Sequence, residues 1–429
     1  MTYDDTVAYL FNCAPPFQQV GGAAYKEGLA NTIALDSHLG HPHRNYRTIH
    51  VAGTNGKGST SHTLAAILQE NGCKVGLYTS PHLIDFRERI RVNGIPAPEE
   101  YVVQFVEKHK SFFEPLQPSF FELTTAMAFS YFAEQKVDIA VIETGMGGRL
   151  DCTNIIAPEL CIITNISPDH TQFLGSTLAE IAGEKAGIIK HGTPAVIGEA
   201  TEETREVFKS RANAVEAPII FAQDNPLLES AKPESSGMLY QTKPYGTIHG
   251  ELGGFCQEKN TNTILAALEC LKESGFAITE ESVKKGFRNV CSTTGLMGRW
   301  QKISGCPLTV CDAGHNIGGI QYITEQLAAQ ECSTLRIVFG MVSDKDISAV
   351  LAIMPKNARY YFTQASIKRA MPARELQGKA KEYGLNGEHY PNVAEALNAA
   401  TAESSANDFI FVGGSCFIVA DLLASLNKN

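Results

Sequence analysis

The chain has 429 residues, with 46 acidic against 36 basic side chains, a formal net charge of −10, and 44% hydrophobic and 19% charged residues. That balance excludes a disordered or fibrous chain and argues against general nucleic-acid binding, which needs a basic face. The length suits two or three domains, each able to bury its own core. Eleven cysteines, scattered from Cys13 to Cys416 without a CxxC pair, fit reduced thiols better than a disulfide framework or a zinc site. Met1-Thr2-Tyr3-Asp4-Asp5 lacks the basic start of a secretory signal, and no apolar run reaches the roughly 18 residues of a membrane span. The expectation is a cytoplasmic enzyme with no nucleic-acid and no membrane partner.

From Arg47 onward, short β-branched runs alternate with helical stretches, the pattern of βα units in a parallel sheet. Strands are expected at 48–52, 75–79, 137–144 and 160–166, with an apolar-periodic helix running through Leu64, Ile67 and Leu68 to a stop at Gly72. Their ends carry Gly53, Ser80, Glu143 and the Pro168-Asp169-His170 turn. Ligands bind at the carboxyl ends of strands in open α/β sheets, so these candidates should converge on one crevice. Between Ala222 and Gly246 the texture changes to loops or an irregular β excursion, with no catalytic group expected. A second α/β series follows Ser292-Thr293-Thr294-Gly295, with strands at 307–311, 335–339, 359–363 and 409–412 and a helix at 393–400. The boundary near Gly295 divides the chain into domains 1–295 and 296–429.

Gly53-Thr54-Asn55-Gly56-Lys57-Gly58-Ser59-Thr60 lies between a predicted strand and a predicted helix. There, backbone N–H groups can cradle phosphates and Lys57 can reach the terminal ones. The spacing is not that of a regular Walker A, because two residues separate Gly53 from Gly56 and Gly58 intervenes between Lys57 and Ser59. A ligand-free glycine-rich turn is the plain alternative; the strand-turn-helix context favours phosphates, with Ser59 or Thr60 near a bound metal. Glu143 ends an apolar strand, where an acid usually faces Mg²⁺ across a phosphate loop, although a solvated strand-end Glu is common. Gly145, Gly147 and Gly148 let backbone approach a ligand, and Arg149 and Asp151 add a charged pair.

His170 reads as a metal ligand or a turn residue, the turn being the better reading when it is taken alone. Lys185 sits among small and apolar residues, where a free ammonium is costly; it snorkels to solvent, or its charge is altered or paired. In the second half, Asp312 and His315 follow a strand and Arg299 lies just past the boundary. They read as a ligand edge, or as a helix cap, a first-turn histidine and a salt bridge. Gly413-Gly414-Ser415 ends the last strand in the same manner, and Asp344-Lys345-Asp346 reads as a solvated turn.

Together the blocks His50-Val-Ala-Gly-Thr-Asn-Gly-Lys-Gly-Ser-Thr60, Tyr78-Thr-Ser-Pro-His82, Glu143-Thr-Gly-Met-Gly-Gly-Arg-Leu-Asp-Cys-Thr-Asn154, Asp169-His170, Glu184-Lys-Ala-Gly-Ile-Ile-Lys190, Gly298-Arg-Trp300 and Asp312-Ala-Gly-His-Asn316 occur in order. In this the chain resembles the folylpolyglutamate synthase and dihydrofolate synthase family within the Mur-type ADP-forming ligases. The unusual phosphate-loop spacing is the form that family uses. The resemblance implies an α/β fold: a P-loop-type Mur ligase central domain with a mostly parallel sheet, plus a C-terminal Rossmann-like α/β domain.

It further implies that Gly56, Lys57, Gly58 and Ser59 hold the ATP phosphates and that Ser80, Glu143 and His170 position Mg²⁺. Lys185 matches the family's carbamylated lysine. Asn260 matches the adenine-side position in a degraded block, and Arg299 and Asp312 match nucleotide contacts from the second domain, with His315 beside the same cleft. Lys57, Glu143, His170, Lys185 and His315 form the implied catalytic set. The implied reaction phosphorylates a substrate carboxylate with ATP, and the amine of L-glutamate then attacks the acyl phosphate. Gly148-Arg-Leu-Asp151 resembles members that use dihydropteroate as well as reduced folates, so Asp151 would read the pterin edge, with Phe121 as a stacking surface and Glu122 alongside. Lys26, Gly28 and Leu29 are further pterin-side candidates. Family members are commonly monomeric, and a need for a monovalent cation stays open. The alternatives are polyglutamylation alone, another Mur-type amide ligase acting on a nucleotide-linked precursor, and, in a different class, a regulatory P-loop NTPase without ligase chemistry.

Overall fold

The computed structural model describes residues 1–13, 28–343 and 345–426. Chain contacts divide it into two compact units, 1–251 with 256–296, and 252–255 with 297–429. The short 252–255 stretch was not foreseen in the sequence: it belongs with the second unit although the helix after it belongs with the first.

The first unit is built on an eight-stranded sheet of order β4-β3-β2-β5-β1-β6-β7-β8. Its strands are β1 (Arg47–Ala52), β2 (Val75–Tyr78), β3 (Ile90–Val92), β4 (Ile95–Pro96), β5 (Ile139–Glu143), β6 (Leu160–Ile163), β7 (Ala195–Ile197) and β8 (Ile219–Phe221). The strand order reverses at β1, which pairs in parallel with β5 on one side and β6 on the other, so its carboxyl end opens the crevice of a switch point. Side chains alternate across the sheet. Ile49 and Val51 face a buried cluster with Leu64, Ile67 and Leu68 of the Lys57–Glu70 helix, while Ala52 packs with Cys161, Ala182 and Ala186 on the opposite face. Each such Ile or Leu contributes about 1.5–3 kcal/mol on burial, which fixes the helix against the strand that delivers its first turn. The Phe120–Glu134 helix is buried almost all round and starts at a capping box between Ser119 and Glu122.

The stretch read as loops or irregular β is a three-stranded antiparallel sheet of β9 (Leu228–Pro233), β10 (Met238–Thr242) and β11 (Gly246–Gly250). Met238, Tyr240 and Ile248 supply its buried face, but the short strands and the intervening Ser-Ser-Gly turn hide that alternation in the sequence.

The second unit carries a six-stranded sheet of order β12-β13-β17-β14-β15-β16. Its strands are β12 (Gln301–Gly305), β13 (Leu308–Asp312), β14 (Leu335–Phe339), β15 (Arg359–Phe362), β16 (Gly387–His389) and β17 (Phe409–Gly413). All pairings are parallel except β12 with β13, and β13 and β17 end together at Asp312 and Gly413. The α/β class and mostly parallel sheets are those expected; the antiparallel edges are additions, β3 and β4 too short to read from periodicity and β12 (Gln-Lys-Ile-Ser-Gly) too polar to stand out as a strand. No helix among the described residues is long and apolar enough to cross a membrane, and the ten cysteines with described side chains are all free.

Candidate functional site

The phosphate loop leaves β1 at the centre of the first sheet and enters the Lys57–Glu70 helix at Gly56, which has φ 83° and gives that helix no side-chain cap. A Cβ at Gly56 would lie 2.2 Å from Asn260 Oδ1, so both the left-handed backbone and the close approach require glycine. The first-turn N–H groups therefore face outward without a protein cap, as an anion site needs.

Residues distant in sequence hold the loop's shape. Asn165 accepts from Thr54 N at its carbonyl (2.9 Å) and from Asn55 N at its side chain (3.0 Å), and the Thr164 hydroxyl donates to Asn55 O (2.5 Å). Gln257 Nε2 donates to Ser59 Oγ (3.2 Å) while its Oε1 accepts from Asn260 Nδ2 (2.9 Å), tying the Cys256–Glu273 helix to the loop. Asn260 is thus buried against the loop at Gly56. Thr164, Asn165 and Gln257 were missed, although a Thr-Asn pair at a strand end and a Gln one helical turn before Asn260 are visible signals.

Lys57 and Lys185 meet at one backbone oxygen. Lys57 Nζ donates to Gly53 O (3.0 Å) and Thr54 O (3.2 Å), and buried Lys185 donates to the same Gly53 O (2.9 Å). Burial, reinforced by the Lys57 charge and opposed by Asp169 and Asp151, pulls the Lys185 ammonium down to about 7. Of the two sequence alternatives for Lys185, snorkelling is ruled out.

Glu143 ends β5 in a buried position, and its Oε2 accepts from Ser80 N (3.4 Å) at the end of β2. His170 stands in a left-handed turn (φ 51°) before the Thr171–Leu174 helix, its Nε2 3.9 Å from Asp169 Oδ2. Ser80 and Glu143 are brought together, whereas no group of three or more His, Cys, Asp or Glu side chains that could hold a metal occurs among the described residues. That arrangement fits Mg²⁺, which keeps waters and phosphate oxygens and takes only one or two protein carboxylates. The buried hydroxyls of Thr60 and Thr144, beside Ser59 and Glu143, have no hydrogen-bond partner, leaving polar capacity at that edge.

The glycine-rich loop after Glu143 is organised by Asp151. Its Oδ2 accepts from Gly145 N and Met146 N (both 2.9 Å), and its Oδ1 from the Thr153 amide (3.0 Å) and hydroxyl (2.5 Å). Phe121 lies on this loop so closely that a Cβ at Gly145 would come within 2.5 Å of the ring. Glu122 Oε2 closes the capping box, accepting from Ser119 N (2.5 Å). Gly28 and Leu29 precede the Ala30–His38 helix, which packs on the Phe120–Glu134 helix and the Cys152–Ile155 turn. Lys26 lies outside the described residues, as does Asp344 of the predicted charged turn.

In the second unit, Asp312 clasps its own edge, accepting from Trp300 N and Gly314 N (both 2.8 Å). Burial raises its pKa and the nearby Arg299 charge opposes that rise. Arg299 donates to Gly298 O (3.1 Å), and His315 Nδ1 lies 3.0 Å from Ala313 O, which makes that nitrogen the protonated one. Asn316 caps the Ile317–Ala328 helix through Gly319 N (2.9 Å).

Two family models match the chain: the Mur ligase middle domain over residues 51–270 and the Mur ligase glutamate ligase domain over 298–416. It is 34% identical over 411 residues to the dihydrofolate synthase/folylpolyglutamate synthase of Bacillus subtilis, covering 92% of this chain and 94% of that one. Among solved structures it is similar to E. coli FolC in complex with DHPP and ADP (TM-score 0.85, 30% identity, 100% and 98% covered). It is also similar to the bifunctional synthase of Yersinia pestis complexed with AMPPNP and Mn ion (TM-score 0.83, 28% identity, 100% and 98% covered). The chain therefore belongs to the dihydrofolate synthase/folylpolyglutamate synthase family of Mur ligases.

Proposed function

We propose that the chain is an ADP-forming ligase that joins L-glutamate to dihydropteroate and to reduced folates. The observation that carries this reading is the meeting of the phosphate loop, Glu143 with Ser80, and Lys185 at the carboxyl ends of the parallel strands of one sheet. Its relatives' names and the nucleotide, DHPP and metal in their complexes support it.

A carboxylate is a poor acceptor for an amine, so its oxygen first attacks the γ-phosphorus of ATP and ADP leaves. The loop amides of Gly56 to Ser59 and the Lys57 ammonium hold the phosphates and offset the charge that develops in this step. Ser80, Glu143 and His170 would hold Mg²⁺, which would supply charge neutralisation at the transferring phosphate. The glutamate amine then attacks the acyl carbon, and the tetrahedral species collapses to an amide with release of phosphate. We assign Asn260, Arg299 and Asp312 to the nucleotide and His315 to the same reaction. Burial, which pulls the Lys185 ammonium down, favours the neutral amine, and that amine would add CO₂ and lose a proton to give a carbamate; intact mass under bicarbonate checks this. Phe121, Gly28 and Leu29 border the pterin side, with Asp151 and Glu122 acting on it through the loop and helix start they hold.

The test is phosphate release with mass analysis of products, using Mg²⁺-ATP, glutamate and either dihydropteroate or tetrahydrofolate. Glutamylated product from both supports the reading. Product from tetrahydrofolate alone removes the dihydropteroate step, and ATP hydrolysis without an amide from either overturns the ligase.

A further inference from the structure

His50 sits in the middle of β1, fully buried, and takes no part in the contacts assigned to catalysis above. Its Nε2 lies 2.8 Å from Thr153 Oγ1, and the Thr153 hydroxyl is 2.5 Å from Asp151 Oδ1. A hydroxyl has one proton, which here goes to the carboxylate, so it accepts from the imidazole and selects the neutral Nε2–H tautomer. The other oxygen of Asp151 receives Gly145 N and Met146 N, which completes a chain from the central strand to the glycine-rich loop under Phe121. Meanwhile His50 Nδ1 is buried with no hydrogen-bond partner. An orphaned nitrogen in a strand core is a cost that leucine at the same position would not carry. Burial, with the Lys190 charge, pushes the imidazole down to about 3, which favours the neutral ring.

We infer that His50 is a positioning residue for the acid substrate: through Thr153 and Asp151 it sets the glycine-rich loop against Phe121, and it leaves the nucleotide side unaffected. The inference rests on the pterin-side reading of that loop given above. The phosphate loop is independent of it, because β1 is held by its backbone ladders to β5 and β6 and the loop by Thr164, Asn165 and Gln257.

The experiment compares the wild type with His50→Leu, His50→Gln, Thr153→Val and the Leu/Val double variant. Two readouts are taken: KM for the pterin acid against KM for ATP, and hydrogen exchange of the 145–149 amides. Loss of one hydrogen bond in the chain should raise the acid KM about tenfold and speed exchange at Gly145 and Met146 by a similar factor, with the ATP KM within about twofold. His50→Gln, which keeps a donor at similar reach, should restore both, and the double variant should be no worse than the worse single one. Wild-type exchange and acid KM in the Leu and Val variants, equal rises in both KM values, or no rescue by Gln would each overturn the inference. If His50→Leu does not fold, Thr153→Val carries the same comparison. If the wild type forms no glutamylated product, the functional reading fails while amide exchange still decides the hydrogen-bond chain.

Discussion

The two units finish their parallel strands in similar glycine-bearing turns but support them in opposite ways. In the first unit, the loop after β1 is latched by Thr164 and Asn165, more than a hundred positions away, and by Gln257, about two hundred away. In the second, Asp312 closes its edge on Trp300 and Gly314, within a dozen residues. A loop held over long range, as the proposed phosphate loop is, fails when a distant support is lost, whereas a local clasp stands or falls with its own segment.

Removing the charge at the centre of the first edge should have the largest effect. Lys57→Met is expected to lower kcat by roughly 10²–10³-fold with the fold intact by circular dichroism, and a kcat near wild type would remove Lys57 from phosphoryl transfer. Loss of a distant latch comes next. Gln257→Ala should raise the KM for ATP by about fivefold, the worth of one buried hydrogen bond, though it is far in sequence from the loop.

The third prediction concerns stability against pH. The Lys185 pKa is lower in the folded chain, about 7 against an ordinary 10.5, so between those values the unfolded chain binds more protons. The cost of burying its charge is full below pH 7 and is relieved as pH rises from 7 toward 10.5. In bicarbonate-free buffer, where the side chain stays an amine, Lys185→Met should therefore gain stability over the wild type at pH 6 and lose most of that advantage by pH 10, as read from denaturant midpoints; a pH-independent difference would contradict it. The smallest effect belongs to the local edge. Asn316→Ala removes one helix cap and should cost about 1 kcal/mol in unfolding free energy, with no change in the KM for ATP.

Much of this was legible from residues. Runs such as Ile49 to Ala52 and Leu335 to Phe339 read as strands because both sheet faces are covered and apolar side chains fill all positions but one in each, His50 and Arg336. Gly53 to Ser59, Glu143 and Lys185 stood out because glycine, a strand-end acid and a lysine in an apolar helix each break a local rule. The support of the site was less legible. Thr164 and Gln257 are ordinary residues whose importance comes only from what the fold places beside them. Asp151 and Glu122 read from the sequence as groups facing a substrate; the structure adds that both oxygens of Asp151 and Oε2 of Glu122 accept from backbone and hydroxyl donors nearby, a supporting role that composition does not reveal.

The shared oxygen of Gly53 has a consequence for selectivity. Lys57 is turned back on the carbonyls of its own loop, whose oriented dipoles offset part of its charge. An incoming anion must break those bonds before it gains the ammonium. Orthophosphate, with one centre to offer, recovers little of that cost, whereas a nucleoside triphosphate recovers it over the loop amides and Lys57 together. The cell's abundant free phosphate should thus compete with ATP only at concentrations far above the nucleotide's Kd, a ratio that Lys57→Met should narrow.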